Sequence, residues 1–354
     1  MKRKLVWIFV LLLMVISPQL AVCEESRYPV LDSKFPAAEA KLGWIDNERV
    51  IFHGYEPGKF GTKSPRDGHI YDITGLFIWD THANEVAKHE SIEGLTSLCV
   101  HAGKVTYAKE GMLVSGQLGK EQRTPFPKKK YWFNPVSCRY YETLPYWRQE
   151  GRKNRSIPLL EEHGYLDFGL SSRAEPSKAT PALLYSPHEK SPRELPFTGE
   201  QVRHHVTYFG FDDIYLVEGY RETTYAPVIW LLKPNGTVTK ALEPRGKPWE
   251  KLGWGGFLLT KKGIFLSGGR GDYASVGTRG GYLLTLGGES PTRLIDGFVR
   301  NEAVSPDGCK VAFVHVLHSQ AGADSFRALL AGKPGTRTLQ MIDLCKETHN
   351  GIAS

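Results

Sequence analysis

The chain has 354 residues, with 45 lysines and arginines against 38 acidic residues and 41% apolar content. That balance excludes a disordered polyelectrolyte, and the length admits either two ordinary domains or one large β domain. Thirty-seven glycines and 22 prolines favour short strands separated by turns.

In chain order, residues 1–23 read as an export signal. Lys2, Arg3 and Lys4 form a positive start, and residues 5–16 are an unbroken apolar run. Twelve residues fall short of the roughly 20 that span a bilayer, which disfavours an N-terminal membrane anchor. Ser17-Pro18-Gln19 ends the run. Cys23 leaves two endings open. "LAVC" (20–23) resembles a bacterial lipobox, whose cysteine is acylated, with Val22 standing where a small residue is usual. Ordinary cleavage after Cys23, with Ala21 and Cys23 as the small residues, is the other. Either way the expected location is exported, periplasmic or secreted, with membrane contact only through a lipid on Cys23. Residues 24–354 are expected to form a single domain.

That domain repeats. Each unit begins with a strand, a tight turn and an alternating strand: "WIDNERVIFHGY" (44–55), "CVHAGKVTYAKE" (99–110), "LLEEHGYLDFGL" (159–170), "VTYFGFDDIYLVEG" (206–219), "GFLLTKKGIFLSGG" (256–269) and "AVSPDGCKVAFVHV" (303–316). A third strand follows in each, and in the second unit "YWFNPVSCRYYE" (131–142) takes that part after an insertion. Val50, Val105, Tyr165, Ile214, Ile264 and Val311 are equivalent starts, spaced 55, 60, 49, 50 and 47 residues apart. A period near fifty with period-two alternation predicts an all-β, six-bladed β-propeller. The turn pairs Asp46-Asn47, Ala102-Gly103, His163-Gly164, Asp212-Asp213, Lys262-Gly263 and Asp307-Gly308 suit tight reversals.

"SPDGCKVAFVH" (305–315) resembles the repeat of the TolB and WD-repeat-like periplasmic β-propeller family, and "RDGHIYDITGLFIWDT" (66–81) is similar to the next strand of that repeat. The other copies are degenerate, so the likeness is sharp in one blade and architectural over about 300 residues. Such rings are usually closed by a strand from the opposite terminus, which removes an open edge. "RYPVLDSK" (27–34) is expected to complete the sixth blade.

Export brings an oxidising compartment, and four cysteines remain beyond Cys23. Cys309 precedes one strand and Cys345 ends the next, so antiparallel pairing brings them together. Cys99 and Cys138 are left as the second candidate pair.

The connections between second and third strands are expected on one face: 56–75, 111–130, 171–181, 220–227, 270–281 and 317–337. They carry Arg66, Arg123, Arg173, Arg221, Arg270, Arg279 and Arg327, an arrangement suited to carboxylate, phosphate or sulfate. Pairing with acidic neighbours such as Asp67, Glu175, Glu222, Asp272 and Asp324 would occupy the same arginines structurally. A basic insertion at about 111–155 is the other anomaly. Residues 120–155 hold ten Lys/Arg against three Glu, and Lys128, Lys129 and Lys130 lie close to Trp132, with Trp147 beyond. An exported protein seldom meets nucleic acid, so an acidic protein surface or an anionic envelope polymer is the expected partner. The alternative is aromatics tucked into blade packing beneath a solvated loop.

No catalytic residue, metal site or cofactor is assigned. His204-His205 point to opposite faces of a strand, and neither a His-Glu-x-x-His nor a Gly-x-Ser-x-Gly occurs. The Arg-Gly-Asp triplet and glycines of "SGGRGDYASVG" (267–277) are weak as adhesion or phosphate signals. The leading expectation is a non-catalytic binding propeller. The alternative is a propeller hydrolase or lactonase with channel carboxylates and calcium, for which Glu93, Glu161, Glu302 and Asp296 are positional candidates.

Overall fold

The computed structural model describes residues 27–56, 75–92, 96–126, 132–141, 156–168, 181–198, 202–220, 227–242, 256–268, 279–288, 290–316 and 337–347. Among them every regular element is a β-strand. The first unit is β1 (Val30–Trp44), β2 (Arg49–Gly54), β3 (Gly75–Asp80) and β4 (Glu85–Ser91). The second is β5 (Cys99–His101), β6 (Lys104–Lys109), β7 (Met112–Gln117) and β8 (Gln122–Pro125). A hairpin of β9 (Trp132–Asn134) and β10 (Arg139–Tyr141) comes next. The third unit is β11 (Ser156–Pro158), β12 (Tyr165–Asp167), β13 (Pro181–Tyr185) and β14 (Arg193–Thr198). The fourth is β15 (Val202–Phe209), β16 (Ile214–Tyr220), β17 (Pro227–Leu232) and β18 (Val238–Leu242). The fifth is β19 (Gly256–Thr260), β20 (Gly263–Gly268), β21 (Gly280–Leu284) and β22 (Thr292–Asp296). The last is β23 (Phe298–Val304), β24 (Lys310–Val316) and β25 (Thr338–Asp343).

Each unit is an antiparallel meander, and β1 supplies the fourth strand of the last one. Its first half pairs with β25 (Val30↔Ile342, Leu31↔Met341, Asp32↔Gln340), and its second half with β2 (Leu42↔Phe52, Trp44↔Val50). The expected N-terminal closing segment is therefore in place. β1 fuses the last and first units into one seven-stranded sheet, which removes an open edge. The Trp44 indole donates to the Ala303 carbonyl at 2.9 Å across this junction.

The faces by which neighbouring units pack are apolar because they are covered, whereas the second face of β6 and β7 carries Thr106 and Ser115, hydrogen-bonded at 2.8 Å. In the fourth unit Tyr215, Val217, Val228 and Trp230 pack toward the third unit, while Ile214, Leu216, Ile229 and Leu231 pack toward the fifth. Strand alternation sorts consecutive residues to opposite sides, so "IYLV" and "VIWLL" read as continuous apolar runs. The same layering joins Phe265 and Leu283 to Val311 and Phe313, then Ala312 and Val314 to Val50 and Phe52, then Ile51 and Leu76 to Val105 and Tyr107. Each large side chain removed from water in these layers contributes about 1.5–3 kcal/mol. This is the architecture of a β-propeller.

Between the second and third units the β9–β10 hairpin intervenes. A Cys99–Cys138 disulfide ties it to β5, and Asn134 Nδ2 donates to the Leu159 carbonyl at 2.9 Å. Cys309 and Cys345 form the other disulfide, so both expected pairings are present.

The second unit corrects the sequence expectation. Residues 112–117 and 122–125 are β7 and β8, so the third strand lies at once after β6 and any insertion begins later than 111. The cause is a two-residue reversal at Glu110-Gly111, with φ of 50° and 74°, which turns β6 directly into β7. The segment 132–141, expected as that third strand, is the separate hairpin.

Candidate binding face

The two ends of the molecule differ. At one end the first and second strands of each unit are joined by short turns, and neighbouring turns touch. Lys261 N donates to the Gly308 carbonyl at 2.9 Å. Asp307 N donates to Asn47 Oδ1 at 3.0 Å, and Lys310 Nζ to the Asn47 carbonyl at 2.8 Å. The Ser-Pro-Asp-Gly turn is held from within: Ser305 Oγ donates to Asp307 Oδ1 at 2.6 Å and accepts from Lys310 N at 2.8 Å.

At the opposite end the second strands β2, β12, β16, β20 and β24 finish and the third strands β3, β13, β17, β21 and β25 begin, and most of the residues between them lie outside the described residues. The second unit is the exception, because its connection is the Glu110-Gly111 turn. Arg123 accordingly stands on the outer strand β8 and pairs with Glu90 at 2.8 Å, which removes it from the expected rim. Arg66, Arg173, Arg221, Arg270 and Arg327 lie outside the described residues, as do Lys128, Lys129, Lys130 and Trp147. Trp132 opens β9, its backbone paired with Tyr141.

Arg279 is the other expected rim arginine among the described residues, and it is buried rather than displayed. It is the last residue before β21 and is only 9% exposed. Its guanidinium carbon stands 3.9 Å above the Phe298 ring, and its Nε is out of solvent with no hydrogen-bond partner. Arg293 donates to its backbone carbonyl and pairs with Asp296 at 2.7 Å, so the neighbouring carboxylate is already engaged. Burial, and then the Arg300 charge, hold the Arg279 pKa below the ordinary arginine value.

Two further buried arginines stand at this end, and the sequence reading did not single them out. Arg300, on β23, is 9% exposed and 5.7 Å from the same Phe298 ring. Arg337 precedes β25 as Arg279 precedes β21, and it is 6% exposed. Period two was the available signal for Arg300, since Phe298 and Arg300 must share a face of "FVRNEAV".

The inner strands bring together His205 on β15 and Glu218 on β16, with Nδ1 and Oε1 2.8 Å apart. The Glu218 hydrogen bond raises the His205 pKa against burial, and the Lys41 charge acts in the opposite direction. Lys41 lies on β1 of the first unit and His205 on β15 of the fourth, so a charge on one inner strand is felt by a residue on the other.

The carboxylates considered for catalysis are not brought together. Glu161, in the turn before β12, accepts from Arg139 at 2.6 Å and from the Tyr141 hydroxyl. Asp296 lies at the opposite, loop end, and Glu302 lies beside Gly256 on the inner strands. Glu93 is outside the described residues. Among the described residues no group of three or more His, Cys, Asp or Glu could hold a metal ion.

No protein-family model matches the chain, and no curated protein matches it. Among solved structures it is similar to YCF48 bound to a D1 peptide, at 11% identity over 92% of this chain and 97% of that one, with a TM-score of 0.45. Streptogramin B lyase is similar at 9% identity over 89% and 97%, TM-score 0.44. A putative TolB from Agrobacterium tumefaciens is similar at 13% identity over 68% and 76%, TM-score 0.38. Likenesses this distant decide neither partner nor chemistry.

Proposed function

We propose that this chain is an exported, non-catalytic six-bladed β-propeller that binds an acidic protein surface through its loop end. The observation that carries the reading is Arg279, a buried guanidinium at that end whose Nε has no hydrogen-bond partner among the described residues. Retaining a buried charge with an unsatisfied donor in a packed layer costs stability, which is reasonable where a ligand supplies the acceptor. Six blades are supported by the order of the packed faces, first on second, third on fourth, and so on to last on first. The Lys41 charge felt at His205, three units apart, suits opposite sides of one ring.

The test is affinity capture from an envelope fraction, followed by binding measurements with the captured protein. An acidic partner should lose affinity as salt rises, because charge contacts at the surface are screened. Arg279→Glu should weaken binding about tenfold or more, as a like charge faces the partner's carboxylates. Lys128, Lys129 and Lys130 changed together to Glu should reduce binding if the basic segment contributes. A partner that binds equally at low and high salt, or an anionic polymer in place of a protein, would contradict the reading.

A further inference from the structure

The geometry points to a carboxylate-binding site at the loop end of the fifth and sixth units, with Arg279 as its principal donor and Arg300 beside it. This assignment rests on the loop-end reading and deepens it by naming the group recognised.

Phe298, itself 2% exposed, covers one face of the Arg279 guanidinium at 3.9 Å. A guanidinium packed against a ring offers its N–H donors on the side away from that ring, and those donors lie in one plane. The complementary acceptor is a planar pair of oxygens, which is the shape of a carboxylate. The anchor is rigid. Arg293 holds the Arg279 carbonyl, and Gly280 and Gly281 let β21 approach its neighbours so closely that a Cβ at Gly281 would sit 2.8 Å from the Phe265 ring.

Charge favours a monoanion. Asp296 already serves Arg293 at 2.7 Å, and among the described residues the buried Nε of Arg279 has no hydrogen-bond partner. The lowered Arg279 pKa, set by burial and by Arg300, agrees with a site that is short of negative charge. The carboxylate could come from a free organic acid or from a peptide, and the chemistry recognised is the same.

The experiment follows thermal unfolding of the whole protein at fixed ionic strength while chloride is replaced by acetate, with phosphate as a second anion. Two peptides are then compared, acetyl-Ala-Ala as the free acid and as its amide. The expected result is a melting temperature that rises with acetate and with the free-acid peptide, and not with the amide. Arg279→Gln should lower the apparent affinity for the carboxylate about 10- to 100-fold. It should melt without ligand no lower than the unmodified protein, because it removes a buried charge with an unsatisfied donor. Arg279→Lys keeps the charge but loses the planar fork and should show an intermediate affinity. A peptide acid that binds much more tightly than acetate identifies a protein source; equal affinities identify a free acid. Stabilisation by acetate that survives in Arg279→Gln, stabilisation by phosphate alone, or equal binding of acid and amide would overturn the assignment. If these arms fail while an acidic protein still binds in a salt-dependent way, the carboxylate site falls and the scaffold reading stands. If they succeed and no protein binds the loop end, the scaffold reading falls alone.

Discussion

His205 and Glu218 supply a test at the scale of one side chain. Their 2.8 Å contact raises the His205 pKa above its ordinary 6.5, while burial and Lys41 work against the shift. A histidine raised in the fold contributes stability that is fully present below the unfolded pKa and lost as pH rises through the folded one. The contribution is small, because the His205 side chain is 64% exposed and screened by water. Titration by nuclear magnetic resonance should place its pKa above 6.5, and Glu218→Gln should bring it back to that value or below. An unchanged pKa in the variant would exclude Glu218 as the cause. At this scale the sequence was a partial guide. It pointed to Arg279 through its place in a connection between strands, but which guanidinium is exposed and which packs on an aromatic ring depends on neighbours remote in the chain. Phe298 is 19 residues from Arg279, and no spacing rule links them.

At the scale of elements the turns carry the argument. Gly164 adopts a φ of 90°, and a Cβ there would overlap the Tyr185 carbonyl on β13. Gly111 has a φ of 74° with nothing within 4 Å of its Cβ position. Gly111→Ala should therefore cost only the backbone strain, about 1–2 kcal/mol. Gly164→Ala should cost more, about 3 kcal/mol or above, since the third unit must shift to make room. Urea unfolding of the two variants checks the order, and equal losses would show that the Tyr185 contact is unimportant. Strong turns were readable because each joins two alternating strands, and Cys309 with Cys345 followed from antiparallel pairing. β7 and β8 were missed because "MLVSGQLGKEQRTP" is weakly apolar and broken by Gly116 and Gly119, whereas "YWFNPVSCRYYE" looks more like a strand pair. That segment does pair, but with itself, held to β5 through Cys138.

For the whole molecule the decisive feature is the difference between its two ends. A repeat near fifty residues with apolar alternation on both faces was enough to predict stacked four-stranded units, because such sheets can hide both faces only against one another. The closing of the last unit by residues 27–34 was foreseeable on the same ground, since an unpaired edge at β25 would invite association with other chains, whereas the continuation of that segment into the first strand of the first unit was not read from the sequence. The contrast between the ends was less open to prediction, because it depends on short turns that touch at one end while Arg279, Arg300 and Arg337 are buried at the other. Hydrogen exchange on the complex with the captured partner measures this directly. The account predicts slowed exchange at residues 279–282, 298–301, 314–316 and 337–339, with little change at turns 45–48, 101–104, 210–213 and 305–309. Protection concentrated at those turns, or along the outer strands β4, β8 and β18, would contradict it.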